Sequence, residues 1–335
     1  MIGASGKAII ITEKPSVARE YREALGHSEN IIITSAIGHM LEVYEPEEYN
    51  SAYKKWDMEL LPILPNFLKR KPIKKTVDML NRIKEIIYKA DAREDIVYIA
   101  TDPGREGELI GREILEYAGI DSRYRIKRIW NSEALTKESI VESIRRAKDI
   151  KEYDGVYHKG LLRQHIDWYM GINYTRALTI KTSKLHVVGR VQTAIVGIIN
   201  KKHREIMGYV KSKYYTHRII FNTRQGEAWV EEIDEEDKYV RYYTAEGKRE
   251  EVRAWGTVVE CEIKKEKESP PTLHNITSLQ IEMNKKYGYT ANETMEMAQR
   301  LYEEYKILSY PRTPSKYMSE EDYGYFIKQY TRVVN

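Results

Sequence analysis

The sequence has almost no cysteine, little phenylalanine and no long apolar run. Cys261 is its only cysteine, which excludes an internal disulfide and a cysteine-rich zinc site and favours a reducing compartment. No apolar stretch approaches the length that spans a bilayer, and the first residues are not typical of a signal peptide. The Gly-x-x-x-x-Gly-Lys-[Ser/Thr] motif of P-loop proteins is also absent. The sequence therefore predicts neither a disulfide-rich, nor a membrane-spanning, nor a P-loop protein.

The composition is typical of a globular protein with an excess of tyrosine. Hydrophobic residues make up 41% and charged residues 32% of the 335 residues, which is enough for a packed core and two or three domains. The net charge of +4 does not by itself predict a nucleic-acid partner. Because there are 27 tyrosines and only 3 phenylalanines, a catalytic tyrosine has to be recognised from its neighbours.

Strand-like and helical segments alternate in the first part of the chain. Strands are predicted at 7–14, 31–33 and 96–100, and helices at 15–26, 76–90 and 107–117. The helix at 15–26 has proline at its start and glycine at its end, as helix termini prefer. Strands that alternate with helices predict a mostly parallel α/β sheet in a first domain over 1–152.

The pattern changes twice in the remainder of the chain. Residues 153–207 are helical in pattern and rich in arginine, whereas 208–268 are β-rich. Strands are predicted there at 214–221, 227–233 and 257–263. Ser269-Pro270-Pro271 predicts a linker, so a fourth domain is expected over 269–335.

The fourth segment is predicted to be helical. Thr290 and Glu293 have the spacing of a capping box at a helix start. Ala298, Leu301 and Tyr305 are expected to form one face of the helix that follows.

Two acidic residues follow two of the predicted strands. Glu13 ends the first strand, and Asp102 follows the strand at 96–100. Because ligands of open α/β sheets bind outside the carboxyl ends of the strands, the two carboxylates are expected to converge, and hard oxygen ligands of this kind suit Mg²⁺. Arg105 lies at a predicted helix N-terminus, where phosphates bind readily. The pattern alone leaves open that both acids are surface residues and that Glu106 merely favours a first helical turn.

Tyr310 is distinguished from the other tyrosines by Pro311 and Arg312. A proline disfavours the helical region for the residue before it, so Tyr310 is expected on an extended segment. A phenol with a pKa of about 10 needs help to attack a phosphate at neutral pH. The planar guanidinium of Arg312 can stabilise the developing phenolate and bind the phosphate. From these three residues alone, a helix end followed by a surface arginine stays open.

Arginine, glutamine and aromatic residues are interleaved in the helical segment 163–193. Such side chains offer phosphate contacts and stacking faces for unpaired bases. On composition alone these are ordinary amphipathic helices, and Trp168 could equally be a core residue.

Three blocks of sequence resemble the type IA DNA topoisomerases, in particular topoisomerase III. Thr-Glu-Lys-Pro-Ser-Val-Ala (12–18), paired with Ala-Thr-Asp-Pro-Gly-Arg-Glu-Gly-Glu (100–108), resembles the Toprim domain of that family. Gly-Arg-Val-Gln-Thr (189–193) is similar to its single-strand-binding groove, and Tyr-Pro-Arg-Thr (310–313) to its active-site motif. The blocks occur in the family's order, and the resemblance extends from Ala8 to about Ser319.

The resemblance implies a fold and an activity. The fold is a Toprim domain, part of a helical DNA-groove domain, a β-rich arch domain and part of a helical domain that carries the nucleophile. The activity is ATP-independent, Mg²⁺-dependent cleavage and resealing of single-stranded DNA through a 5′-phosphotyrosine, which relaxes or decatenates DNA. Because the family continues beyond the point that corresponds to residue 335, a truncated or split enzyme is expected, with a second polypeptide as one source of the remainder.

The resemblance also implies individual roles. The implied catalytic residues are Tyr310, Arg312, Lys14 and Glu13, the metal ligands Glu13, Asp102 and Glu106, and the DNA contacts Arg190, Gln192, Arg163, Asp167, Arg176 and Arg105. Lys14 is expected to aid proton delivery to the leaving 3′ oxygen. Gly104 stands where many relatives have a second aspartate, which favours a single, loosely held Mg²⁺. Pro314 stands where an acidic residue is common.

Two other functions stay open at this level. The first is a single-stranded-DNA-binding remnant that does not cleave. The second is a Toprim nuclease or primase, which needs water or a nucleotide as the nucleophile; the Tyr-Pro-Arg-Thr block argues against it.

Overall fold

The computed structural model describes residues 6–120, 123–216, 218–224, 226–231, 241, 265, 267–318, 323–324 and 327. The chain divides into two compact units, Met1–Val191 with Pro270–Asn335, and Gln192–Ser269. The boundary between Ser269 and Pro270 falls inside the predicted linker, whereas the boundary between Val191 and Gln192 lies within the predicted helical segment. The division into four domains stays a prediction.

The first unit contains most of the regular structure. Its elements are, in chain order, β1 (Ala8–Thr12), α1 (Pro15–Leu25), β2 (Ile31–Ser35), β3 (Leu41–Val43), α2 (Pro46–Tyr49), β4 (Arg70–Pro72), α3 (Val77–Tyr88), β5 (Ile96–Ala100), α4 (Arg105–Ala118), β6 (Arg125–Arg128), α5 (Lys137–Arg145), β7 (Lys148–Asp149), α6 (Asp154–Thr182), α8 (Ile276–Tyr287) and α9 (Ala291–Glu303). None of the helices in the described part of the chain is both long enough and apolar enough to cross a membrane.

A five-stranded sheet forms the centre of this unit. Its strand order is β2-β1-β5-β6-β7. The first four strands are mutually parallel, and only β7 pairs antiparallel. All five residues of β1 are buried, as expected of a parallel strand with both faces covered. The predicted mostly parallel sheet is therefore confirmed.

Alternate residues of β1 enter two different cores. Ile9 and Ile11 pack with α3 and α4 on one face of the sheet. Ala8 and Ile10 pack with α1 and α5 on the other face. This division follows from the two-residue period of a strand, which sends successive side chains to opposite faces.

The predicted elements of this domain are all present, with small shifts at their ends. The first helix runs from Pro15 to Leu25, and Gly26 follows it with φ of 70°, in the left-handed region that glycine tolerates. The prediction missed β6 because its sequence, Arg-Ile-Lys-Arg, is mostly basic. It also missed α5 and the two-stranded β3–β4 sheet, whose strands have only three residues each.

The helix α9 begins as predicted and buries a different face. Thr290 and Glu293 form the expected capping box. The buried residues are Thr294, Ala298 and Tyr302, spaced four apart, whereas Leu301 is exposed and Tyr305 lies beyond the helix end. The predicted face was therefore wrong except at Ala298.

The second unit contains a helix and a hairpin. Its described elements are α7 (Gln192–Met207), β8 (Arg218–Thr223) and β9 (Gly226–Glu231). The two strands pair antiparallel, which confirms two predicted strands with shifted ends. The third predicted strand, at 257–263, lies outside the described residues.

Candidate active site

Glu13 and Asp102 meet at the carboxyl edge of the sheet. Their strands β1 and β5 are adjacent and parallel, with Thr12 opposite Ala100, so the residues after both strands emerge side by side. The Asp102 backbone N–H donates a hydrogen bond to the Glu13 carboxylate at 3.0 Å. The structure thus brings together the two acids that the strand pattern pointed to.

The turn after β5 is tight, and Gly107 makes it possible. A Cβ atom on Gly107 would lie 2.2 Å from the Asp102 carbonyl oxygen, closer than any real contact. The Thr101 hydroxyl also donates to the Gly107 carbonyl oxygen at 2.7 Å. The Asp102 backbone is therefore packed directly on the first turn of α4.

A buried arginine, Arg128, supports the same turn through hydrogen bonds to its backbone. The Arg128 side chain is fully buried and donates to the carbonyl oxygens of Thr101 and Asp102, both at 2.8 Å. It also pairs with the buried Glu108 carboxylate at 2.8 Å. Burial lowers the pKa of Arg128, and the Glu108 charge opposes this shift. Arg128 was not predicted as a site residue, because an arginine at the end of a short basic strand gives no sign of burial.

Two further groups converge on Asp102 from distant parts of the sequence. The Lys14 ammonium lies 3.3 Å from Asp102 Oδ2, and the Tyr310 hydroxyl donates to the same oxygen at 3.3 Å. Lys14 also lies 4.0 Å from Glu303 Oε1, a carboxylate that the sequence analysis missed. Asp102 is therefore the common partner of the predicted nucleophile and the predicted proton donor.

Backbone and ring contacts fix the position of Tyr310. Its N–H donates to the carbonyl oxygen of Ser132 at 2.9 Å. Its ring contacts that of Tyr302 edge-on, with ring centres 5.7 Å apart, and Tyr302 belongs to the core that contains α1 and α5. Pro311 is buried, and Arg312 is exposed. The backbone and the ring of Tyr310, the predicted nucleophile, are thus both held in place.

The surroundings keep the Tyr310 phenol protonated. Burial raises its pKa first of all, and the nearby Asp102 charge raises it further, while the Arg312 charge lowers it. The effect of Arg312 on the pKa of Tyr310 therefore has the sign that is expected of a residue that stabilises a phenolate.

Negative charge is crowded at the acidic pair. Burial raises the pKa of Glu13, and the Asp102 charge raises it further; Lys14 opposes both. Two oxygen donors with mutually unfavourable charge fit a divalent cation that keeps several waters. Glu106 is more exposed than this pair, with 72% of its side chain accessible, and lies 4.0 Å from His39; its charge still raises the pKa of Glu13. In the described part of the chain, no three acidic, histidine or cysteine side chains are grouped as a metal site.

His39 lies next to the acidic pair and was likewise not predicted as a site residue. His39 Nδ1 lies 3.0 Å from the buried Glu113 carboxylate, and this hydrogen bond is the main cause that raises the His39 pKa. His39 follows β2, at the same edge of the sheet as Glu13 and Asp102.

The predicted DNA-binding residues fall into separate groups. Arg190 Nε lies 2.6 Å from the Asp167 carboxylate, and Arg163 lies 3.7 Å from it, so these three form one cluster on α6 and the segment after it. Arg105 is exposed at the start of α4. Gln192 begins α7 in the second unit.

Arg176, another predicted DNA contact, has partners within the protein. Its side chain is only 6% exposed. It donates to the Tyr53 carbonyl oxygen at 2.6 Å, lies 3.7 Å from the Glu47 carboxylate, and stacks on the Trp56 ring at 5.1 Å. Its guanidinium therefore holds the segment before β4 against α6, and its role as a DNA contact stays a prediction.

Comparisons with known proteins agree with this arrangement. The profile of the Toprim domain matches residues 8–134, and that of the DNA topoisomerase family matches 151–334. DNA topoisomerase 3 of Shouchella clausii is 37% identical over 327 residues, which cover 94% of this chain and 44% of the relative. DNA topoisomerase 3 of Bacillus cereus is 36% identical over 335 residues, again 44% of its length. The chain thus spans less than half of these relatives.

A solved structure supports the same fold. Full-length topoisomerase I from Thermotoga maritima superposes with a TM-score of 0.64 and 24% identity, over 94% of this chain and 50% of that one. The family profile covers more than half of the chain and includes the tyrosine segment. The chain belongs to the type IA DNA topoisomerase family.

Proposed function

We propose that this chain cleaves and reseals single-stranded DNA through a 5′-phosphotyrosine at Tyr310, without ATP and with Mg²⁺. One observation carries the proposal: the Tyr310 hydroxyl and the Lys14 ammonium each lie 3.3 Å from the same oxygen of Asp102. The proposed nucleophile and the proposed proton donor thus contact the same proposed proton acceptor.

Each proton in the reaction has a donor and an acceptor at this site. The Tyr310 oxygen forms a bond to phosphorus, and its proton passes to Asp102. The bond from phosphorus to the 3′ oxygen breaks, and Lys14 supplies the proton that this oxygen needs. Because Lys14 and Asp102 are in contact, a proton transfer between them restores both groups. Resealing is the reverse sequence, and the phosphotyrosine conserves the bond energy, so no ATP is required.

Positive charge at the site matters because phosphoryl transfer depends mainly on positioning and charge neutralisation. Arg312 lowers the pKa of Tyr310 and is proposed to stabilise the phenolate as it forms or leaves.

The Toprim domain is in general a metal-binding fold, and the proposed ion is Mg²⁺. Glu13 and Asp102 are its proposed ligands, with the exposed Glu106 able to contribute through water. When bound, Mg²⁺ offsets the charge of the phosphate. With Gly104 in place of a further carboxylate, we propose one loosely held ion.

DNA is the proposed partner of the exposed basic residues. Arg190 and Arg163 share the Asp167 carboxylate, and an arriving phosphate can replace that partner. Arg105 and Gln192 are proposed contacts as well. Relaxation or decatenation by strand passage is the wider activity proposed, and a second polypeptide that supplements this chain stays a prediction.

The test is covalent capture of DNA. The chain is incubated with end-labelled single-stranded oligonucleotide and Mg²⁺, denatured with detergent, and assayed for label on the protein. Tyr310→Phe is expected to abolish the adduct. Tyr305→Phe is the matched control, because Tyr305 lies five residues away and is 58% exposed.

Each other outcome identifies a different function. Oligonucleotide binding without an adduct would favour the single-stranded-DNA-binding alternative. Cleaved DNA with protein-free ends would favour a Toprim nuclease. An adduct that persists in Tyr310→Phe would mean that another residue is the nucleophile.

A further inference from the structure

Lys306 adopts a backbone conformation that normally selects glycine. Its φ is 56°, in the left-handed region, where a Cβ atom is penalised. It follows the end of α9, where the N–H of Tyr305 bonds to the Arg300 carbonyl oxygen and that of Ile307 to the Leu301 carbonyl oxygen. Left-handed residues after helices are most often glycine. A lysine at this position therefore suggests that its side chain makes a contact that glycine could not make.

The Lys306 side chain forms an ion pair with Glu20 of α1, 286 residues earlier in the chain. Both side chains are largely covered, with 32% and 25% of their surfaces exposed. Ion pairs removed from solvent are screened less than those at the surface. This pair therefore connects the segment after α9 to the Toprim domain.

The position of α1 gives this contact its significance. Residue Lys14 immediately precedes α1 and contacts Asp102, and Glu20 lies within the same helix. Four residues after Lys306, Tyr310 contacts the same Asp102 through its hydroxyl. The ion pair therefore links the helix that follows the proposed proton donor to the segment that carries the proposed nucleophile.

We propose that Lys306 is a positioning residue whose ion pair with Glu20 holds the Tyr310 segment against the Toprim domain. Tyr310 itself is held by one hydrogen bond to Ser132, one to Asp102 and the ring contact with Tyr302, and the ion pair restrains the chain that leads into these contacts. A role of this restraint in DNA cleavage rests on the proposed function. The restraint itself is independent of that function.

A glycine variant separates this role from a merely local one. If Lys306 only ends the helix, Lys306→Gly relieves the left-handed conformation, and Tyr310 stays as firmly held as before. If the side chain is the anchor, the same variant loosens Tyr310. Glu20→Gln breaks the pair from the other side without touching the backbone at 306. Glu20→Lys combined with Lys306→Glu restores a pair of reversed sign.

The first measurement is hydrogen exchange of the Tyr310 amide in the full chain, since this N–H is bonded to the Ser132 carbonyl oxygen. Lys306→Gly and Glu20→Gln are expected to speed its exchange roughly fivefold or more, and the reversed pair to slow it again. The matched control is Glu304→Gln, which breaks the exposed Arg300–Glu304 pair at the same helix end and should change nothing. Unaltered protection in both Lys306→Gly and Glu20→Gln would overturn the proposal.

The second measurement is the amount of covalent adduct with single-stranded oligonucleotide and Mg²⁺. The two variants should form several-fold less adduct at equal oligonucleotide affinity, with recovery in the reversed pair. Equal adduct in all variants would refute a role in cleavage. If the unmodified chain forms no adduct, the proposed function fails, and the hydrogen-exchange result alone decides whether Lys306 positions Tyr310.

Discussion

Gly104 and Gly107 offer a matched pair of alanine substitutions in the turn between β5 and α4. A Cβ atom at Gly107 would lie 2.2 Å from the carbonyl oxygen and 2.9 Å from the nitrogen of Asp102. Both are backbone atoms, which cannot rotate away. At Gly104 no heavy atom lies within 4 Å of the added Cβ atom, and its φ of 175° is open to any residue. Alanine is therefore accommodated at 104 and excluded at 107.

The expected magnitudes follow from these contacts. Overpacking against backbone costs up to about 3 kcal/mol, and alanine regains about 1 kcal/mol over glycine within a helix. Gly107→Ala should therefore lower the free energy of unfolding by about 2 kcal/mol. In a domain of this size that is a fall of roughly 4–8 °C in the thermal midpoint. Gly104→Ala restricts mainly the unfolded chain and should raise stability by less than about 1 kcal/mol.

Thermal unfolding followed by circular dichroism measures both variants against the unmodified chain. The adduct assay is run on the same samples at a temperature where all three are folded. Gly107→Ala displaces the Asp102 backbone, so it should also form less adduct, whereas Gly104→Ala should form as much as the unmodified chain. Equal midpoints for the two variants would refute the reasoning, because the close approach at Gly107 would then have no energetic consequence.

Four other substitutions have distinct expected outcomes. Arg128→Met leaves the buried Glu108 carboxylate with Arg112 as its remaining arginine partner and takes a donor from the carbonyl oxygens of Thr101 and Asp102. It should therefore lower the free energy of unfolding by about 3 kcal/mol in a denaturant titration; a loss below about 1 kcal/mol would contradict this. Gly104→Asp adds a carboxylate in open space beside the acidic pair and should tighten Mg²⁺ binding measured by calorimetry, and unchanged affinity would count against Mg²⁺ there. Arg176→Ala should lower the thermal midpoint and leave the oligonucleotide affinity unchanged. Arg190→Ala should lower the oligonucleotide affinity and leave the thermal midpoint unchanged. Equal losses of affinity in the two variants would identify Arg176 as a DNA contact.

The local elements of the Toprim domain could be predicted because short-range patterns determine them. Three isoleucines in β1 and the alternation of strands with helices were sufficient for a parallel sheet. Proline at the start and glycine after the end of α1 marked its limits. The edge at which Glu13 and Asp102 meet followed from the rule that ligands bind at the carboxyl ends of parallel strands.

Burial, in contrast, could not be predicted for polar residues. Arg128 and Arg176 have the same side chain as Arg190, yet two are buried and one binds an exposed carboxylate. The helix α9 showed the same limit, because a helical period fits several faces, and the packing of Tyr302 selected one of them.

By itself, the sequence determined the strand and helix pattern, the family resemblance and the identity of the candidate nucleophile. Only the tertiary structure decided that Tyr310 and Lys14 share one oxygen of Asp102, and that Lys306 pairs with Glu20 across 286 residues. The physical reason is that neighbouring residues set local backbone preferences, whereas a contact between distant side chains depends on how every intervening element packs.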